Sequence, residues 1–250
     1  MASDDNPFAA GSDAIAEPSS VGTLEPVPMD VGPILERCWM LFRDNAGIVL
    51  AAILLGGGVK FGFSIVDTGV RSAENAYPEQ AQALATLSVV LNIASGLLSF
   101  FFQVGLTRVF LNLASGLPVD ASMLWGGGAQ FPSALGSALV RGVAIVLGGL
   151  ALIVPGVLIA LGTQFYLYCL VDRDQGPIEA LMESWRITDG YKATVFGLNL
   201  VMGLVGLALG CATLGVGFFV MIPVLSLTQA VMYHSLRQRF LDRFVPYSAP

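Results

Sequence analysis

The chain has 250 residues, 55% of them hydrophobic and only 12% charged, with a mean hydropathy of +0.74. Soluble domains carry about 25% charged residues, so this composition excludes a chain whose main solvent is water. The net charge of −6 is no sign of an acidic domain. Five acids (Asp4, Asp5, Asp13, Glu17 and Glu25) and no Lys or Arg fall within residues 1–29, and the remainder is close to neutral.

Residues 1–29 are rich in Ala, Ser, Pro and Asp. They cannot bury enough surface to offset their ordering entropy, which predicts a disordered acidic leader. They lack a basic start, and no apolar core precedes residue 46, so the first crossing is expected to act as its own uncleaved insertion signal. Asn6-Pro7-Phe8 matches a short peptide-recognition pattern, but three residues are too few to assign a function. Residues 30–240 are predicted to form one transmembrane domain, followed by a short tail over 241–250.

An internal repeat organises that domain. Trp39, Trp125 and Trp185 each follow a proline (Pro33, Pro118, Pro177) by six to eight residues, and a long apolar stretch comes after each. The unit reads as a short interfacial helix and then a segment long enough to cross a membrane and return, so three copies give six crossings. The predicted fold is all-α: a polytopic transmembrane bundle of three repeated helical hairpins with interfacial amphipathic helices. In the first copy Ile34, Cys38, Leu41 and Phe42 fall on one side and Glu36, Arg37, Arg43 and Asp44 on another. In the third, Ile178, Leu181, Met182 and Trp185 follow i, i+3, i+4, i+7 spacing. The middle copy holds Gly126, Gly127 and Gly128, which weaken a helix, so only a turn or surface loop is expected there.

Crossings are predicted at 46–67, 84–112, 133–153, 155–172, 192–212 and 215–236, each near the ~20 residues that a ~30 Å core needs. Val154-Pro155-Gly156 and Gly210–Gly217 are read as tight hairpin turns, and Thr68–Gln82 as the one longer loop on that side. Arg37, Arg43, Arg173, Arg186, Lys192, Arg237, Arg239 and Arg243 fall on the face that carries both termini. The retention of cations on the cytoplasmic side predicts cytoplasmic termini in a bacterial inner membrane, with the three tryptophans as anchors at the inner headgroup level.

Polar residues inside the spans carry the functional candidates. Ser88, Asn92, Ser95, Ser99, Gln103 and Thr107 lie within an arc of about 120° on crossing two. Ser226, Gln229, Tyr233 and Arg237 form a row on crossing six, with Gln164 and Tyr168 on crossing four. Two readings fit: interhelical bonding at ~0.6 kcal/mol per bond, or a path for a polar solute lined by Asn92, Ser99, Gln103, Gln164 and Gln229. Lys60 is either an anchor, reaching the headgroups or pairing with Asp67, or the charged group of that path. Arg108 and Arg141 are expected to reach the headgroups by their long stems. Asn199, Gly203, Gly206 and Gly210 on crossing five read as a packing groove.

Catalytic patterns are missing from the sequence. His234 is its one histidine, so two-histidine metal motifs are impossible, and the Gly56–Gly58 and Gly126–Gly128 runs lack the lysine of a phosphate loop. Cys38, Cys169 and Cys211 have neither zinc nor disulfide spacing and read as small buried hydrophobes. No enzyme, cofactor, metal or nucleic-acid partner is expected.

The stretch Ile153-Val154-Pro155-Gly156, then Val171-Asp172-Arg173-Asp174, Gly176-Pro177-Ile178-Glu179-Ala180-Leu181, Ser184-Trp185 and Asp189-Gly190, together with Tyr233 and Leu236-Arg237, resembles the membrane domain named after glycerophosphodiester phosphodiesterases. The resemblance spans roughly residues 31–240 and implies a six-helix bacterial membrane protein. It carries over no catalytic residue, since the hydrolytic domain of fused relatives has no counterpart here. The expected function is therefore non-enzymatic: organising membrane lipid or partner proteins through the cytoplasmic face, or, alternatively, a small transporter or channel.

Overall fold

The computed structural model describes residues 31–244. The acidic leader with Asn6-Pro7-Phe8 and most of the expected tail lie outside the described residues. Among those described there is no strand, and nine α-helices succeed one another. α1 (Val31–Asp44) buries Ile34 and Cys38 against the rest of the molecule and leaves Glu36, Arg43 and Asp44 exposed, as its amphipathic spacing demands. A single residue, Asn45, separates it from α2 (Ala46–Ala76), and its amide side chain donates back to the Leu41 carbonyl at 3.2 Å.

α2 has 31 residues and its antiparallel partner α3 (Ala81–Ala114) has 34, or about 46 and 51 Å of helix. The Thr68–Gln82 loop is thus corrected: helix persists to Ala76, and only Tyr77 and a 3-10 turn at Pro78–Gln80 reverse the chain. No proline interrupts the helix before Pro78. Arg71 pairs with Asp67 one turn back at 2.8 Å, and the Thr68 and Ser72 hydroxyls donate to carbonyls four residues earlier. Pro78 then pushes Tyr77 out of the helical region, to φ −125° and ψ 75°.

The degenerate middle copy is two 3-10 turns, Ala121–Leu124 and Gly126–Gly128, laid against α3. Their backbone can approach because residue 105 is glycine: a Cβ there would stand 2.3 Å from the Leu124 carbonyl oxygen. α4 (Phe131–Ala151) and α5 (Ile153–Gly162) form a hairpin whose reversal is the one extended residue Leu152, so the expected turn at Val154-Pro155-Gly156 moves toward the N-terminus. Pro155 sits in the first turn of α5, where its missing N–H has no partner to lose. Gly156 lets the hairpin close, since its Cβ would lie 2.9 Å from the Gly149 Cα.

After a break at residues 163–165 come α6 (Tyr166–Arg173), α7 (Pro177–Ile187), α8 (Lys192–Ala212) and α9 (Val216–Phe244). α9 contains Pro223 and continues four residues into the expected tail. The packed core joins α1, the C-terminal half of α3, α6, α7, the N-terminal part of α8 and the C-terminal half of α9, with Phe165, Leu170, Leu198, Leu227 and Tyr233 almost fully covered. Beyond it α2, α3, α4 and α8 present large apolar side chains outward, among them Phe61, Ile93, Leu150 and Leu204. Four helical segments among the described residues are long and apolar enough to cross a membrane: Pro78–Ala114, Phe131–Ala151, Ile153–Arg173 and Lys192–Ala212. Cys38 and Cys169 are buried as expected, whereas Cys211 is exposed at the end of α8, next to the hairpin tip.

Candidate functional site

The third of these segments is interrupted. An apolar run ends at Gly162, and Thr163, Gln164 and Phe165 leave helical geometry before α6 begins. Backbone groups released inside an apolar bundle must find partners in the protein. Here α7 and α4 supply them. The Gly162 carbonyl accepts from Ser184 Oγ at 2.9 Å and Thr188 Oγ1 at 3.2 Å, and the Phe165 N–H donates to Ser184 Oγ at 3.1 Å. Arg141 of α4 donates through Nε to Thr163 Oγ1 at 3.1 Å and through Nη2 to the Ala160 carbonyl at 3.4 Å. Glycine is required at the break because Trp185 fills the adjacent space: a Cβ on Gly162 would stand 2.3 Å from the indole Cε3.

Arg141 therefore does not follow the expectation that it reaches for the headgroups. Its guanidinium turns inward and lies 5.5 Å over the Tyr166 ring. It faces a cleft of about 390 Å³ whose polar walls are Gln103 and Thr107 of α3, Arg141, Gln164 at the break, and Ser226 and Gln229 of α9. The three glutamines of the expected path are thus brought together. A relay of amides braces two of them: Gln229 donates to Asn199 at 2.7 Å, and Asn199 donates to Gln164 Oε1 at 2.9 Å. Asn199, read from sequence as part of a packing groove, is the centre of this relay.

Beneath the cleft, Tyr168 stacks on Tyr233 with centroids 5.5 Å apart, and its hydroxyl donates to the Ser226 carbonyl at 3.3 Å. Tyr233 donates onward to Asp172 at 2.8 Å, and Arg237 completes an ion pair with the same carboxylate oxygen. With side chains 4% and 13% exposed, Asp172 and Arg237 form a buried clasp between α6 and α9.

Asn92 and Lys60 do not join this site. They line a separate cleft of about 180 Å³ between α2 and α3, with Ser64, Asp67 and Ser95. Asn92 is eleven residues from Gln103, about 16 Å along one helix. Asp67 is engaged by Arg71 and, at 3.1 Å, by Asn92, so the Lys60–Asp67 pairing weighed from sequence is not formed. The Ser99 hydroxyl lies between the two regions, buried without a partner. One continuous path is therefore two polar regions. Trp39, Trp125 and Trp185 are 53%, 68% and 38% exposed, so none is absorbed into the core.

Arg141, Asn199, Thr163, Ser184 and Thr188 were not singled out by the sequence for a site. The available signal was the polar pair Thr163-Gln164 directly after a glycine in an otherwise apolar run.

The architecture is that of an all-helical protein with several helices of membrane-spanning length, built around a broken helix and a polar cleft. The chain belongs to the family described as Domain of unknown function (DUF7847), whose profile matches residues 95–238. That match contains every polar residue lining the cleft, and leaves out α1, α2 and Asn92. The chain is also similar to uncharacterised proteins of Mycobacterium tuberculosis and Mycobacterium bovis, 24% identical over 231 residues, covering 82% of this chain and 68% of the relative. No solved structure matches it. Nothing in these matches supports the resemblance to the glycerophosphodiester phosphodiesterase membrane domain.

Proposed function

We propose that the chain is a non-enzymatic multi-pass membrane protein that admits a small polar or amphiphilic molecule to the cleft between α3, the α5–α6 break and α9, as a small transporter does. The observation that carries this reading is the convergence of Gln103, Arg141, Gln164 and Gln229 on one cavity beside interrupted helical backbone. Irregular backbone at membrane depth is tolerated where it is buried in protein or lines a wet cavity, and discontinuous helices form the binding sites of many transporters. In this reading α2 and α9 complete six crossings, since 46–63 holds Lys60 as its one charged residue and 216–236 holds no Asp, Glu, Lys or Arg. Both termini lie in the cytoplasm of a bacterial cell, by the distribution of Lys and Arg.

A second reading has its own support. The three exposed indoles favour a protein that organises lipid or protein partners at the cytoplasmic face. Solvent access separates the two. In a background without the native cysteines, Gln103→Cys and Gln229→Cys react with a water-soluble maleimide if the cleft is hydrated, whereas Leu139→Cys on the outer face of α4 does not. Equal inertness at all three positions refutes the cleft as a binding site and leaves the organising role.

A further inference from the structure

The cleft walls carry one cation and no carboxylate. Among the described residues lining it, Arg141 is the sole charged group, and no acidic side chain pairs with it. Asp172 is turned away, spent on Tyr233 and Arg237 behind the stacked tyrosines. Thr163 and Ala160 take the Nε and Nη2 bonds of Arg141, which fixes the plane of the guanidinium while leaving its charge uncompensated. The Gln164 Nε2 donor is buried without a partner, and Gln103 contributes an exposed amide. An uncompensated cation among amide donors in partly apolar surroundings attracts anions and repels cations.

Leu106, Phe110 and Leu225 form an apolar portion of the wall, so an anionic head with an apolar body is accommodated.

The geometry points to a ligand bearing an oxyanion group, phosphoryl or carboxylate, held by Arg141 with the glutamine amides as supporting donors. This rests on the cleft being a binding site, as proposed above, and adds the class of what it binds. The source is a free solute or a lipid headgroup, and the test separates them.

The full chain is placed in phosphatidylcholine nanodiscs, and its thermal midpoint is followed with sodium phosphate, sodium acetate or choline chloride, against sodium chloride at equal ionic strength. A second set of nanodiscs contains phosphatidylglycerol. A saturable rise in the midpoint with phosphate or acetate identifies a free oxyanion, and a rise confined to phosphatidylglycerol identifies a headgroup. In either case Arg141→Gln weakens the apparent affinity at least about tenfold, and Arg141→Lys retains part of it. Because Arg141 also braces the break, Gln103→Leu is the second variant: it leaves the Arg141 bonds intact and lowers affinity by a smaller factor. A response to choline alone, or no anion response from a cleft that maleimide labels, overturns the oxyanion assignment and leaves the binding reading standing. Absence of labelling removes both.

Discussion

Ser184 offers the sharpest test of how the broken helix is held. Its hydroxyl is fully buried, donates to the Gly162 carbonyl and accepts from the Phe165 N–H. Ser184→Ala removes both bonds, but the two losses differ. The carbonyl keeps the Thr188 hydroxyl at 3.2 Å, which turns its one proton from the Ser184 and Trp185 carbonyls to it, whereas the Phe165 N–H is stranded. Hydrogen bonds inside membranes average ~0.6 kcal/mol, so two ordinary losses would total roughly 1 kcal/mol. A stranded buried donor costs about 1–3 kcal/mol. The stranded donor therefore dominates, and Ser184→Ala is expected to destabilise by about 2 kcal/mol. Thr188→Val removes one of two donors to the same carbonyl and costs less, about 0.5–1 kcal/mol. In the double variant the carbonyl has lost both hydroxyls, so the cost exceeds the sum of the singles by about 1 kcal/mol. Equilibrium unfolding in mixed micelles, run as a double-mutant cycle, measures all three. A neutral Ser184→Ala, or strict additivity, would refute the claim that α7 satisfies the break.

Other outcomes follow from the same structure. Asp172→Asn leaves Arg237 buried without its counter-charge and is expected to cost about 3–5 kcal/mol in unfolding, most of which returns when it is combined with Arg237→Met. Gly105→Ala sets a methyl against the Leu124 backbone and should destabilise by about 1–3 kcal/mol or more. The same change at Gly142, where a Cβ meets nothing within 4 Å, should be close to neutral in the same unfolding assay. Cys211 is exposed whereas Cys38 and Cys169 are buried, and burial pushes the Cys38 thiol up to about 11. A maleimide at pH 8 is therefore expected to modify Cys211 alone in the folded protein, detected by mass spectrometry. In sealed vesicles an impermeant reagent should reach it only from the side opposite the termini.

Periodicity and composition made the helices and hairpins legible, because an apolar helix declares itself through the residues it turns outward. α1 was readable from Ile34 and Cys38, and the Gly126–Gly128 turn from its lack of side chains. The length of α2 was not. Residues 68–76 mix polar and small side chains, and such a mixture does not tell a solvated helix from a loop; the Asp67–Arg71 spacing was the usable clue. At the site, the three glutamines were picked out because polar amides in apolar runs need partners. Which partners they find depends on how helices rotate against one another, and no single helix encodes that. Arg141 was misread for the same reason: a long cationic stem fits both an inward and an outward course, and the choice lies with Thr163, on a different helix. Asn199 reads as packing because glycines share its helix face, yet Gly206 lies against Met221, Gly203 faces open space, and Asn199 serves the amide relay.

The meeting of Gly162 and Trp185 ties two positions 23 residues apart to a single volume. Neither can change size alone. A relative with any side chain at the first position needs a smaller ring, or none, at the second, or else its seventh helix must stand off from the fifth and leave the Gly162 carbonyl beyond reach of the two hydroxyls. Pairs of substitutions at these sites should thus be inherited together, and a library randomised at both should return large-with-small combinations and reject large-with-large.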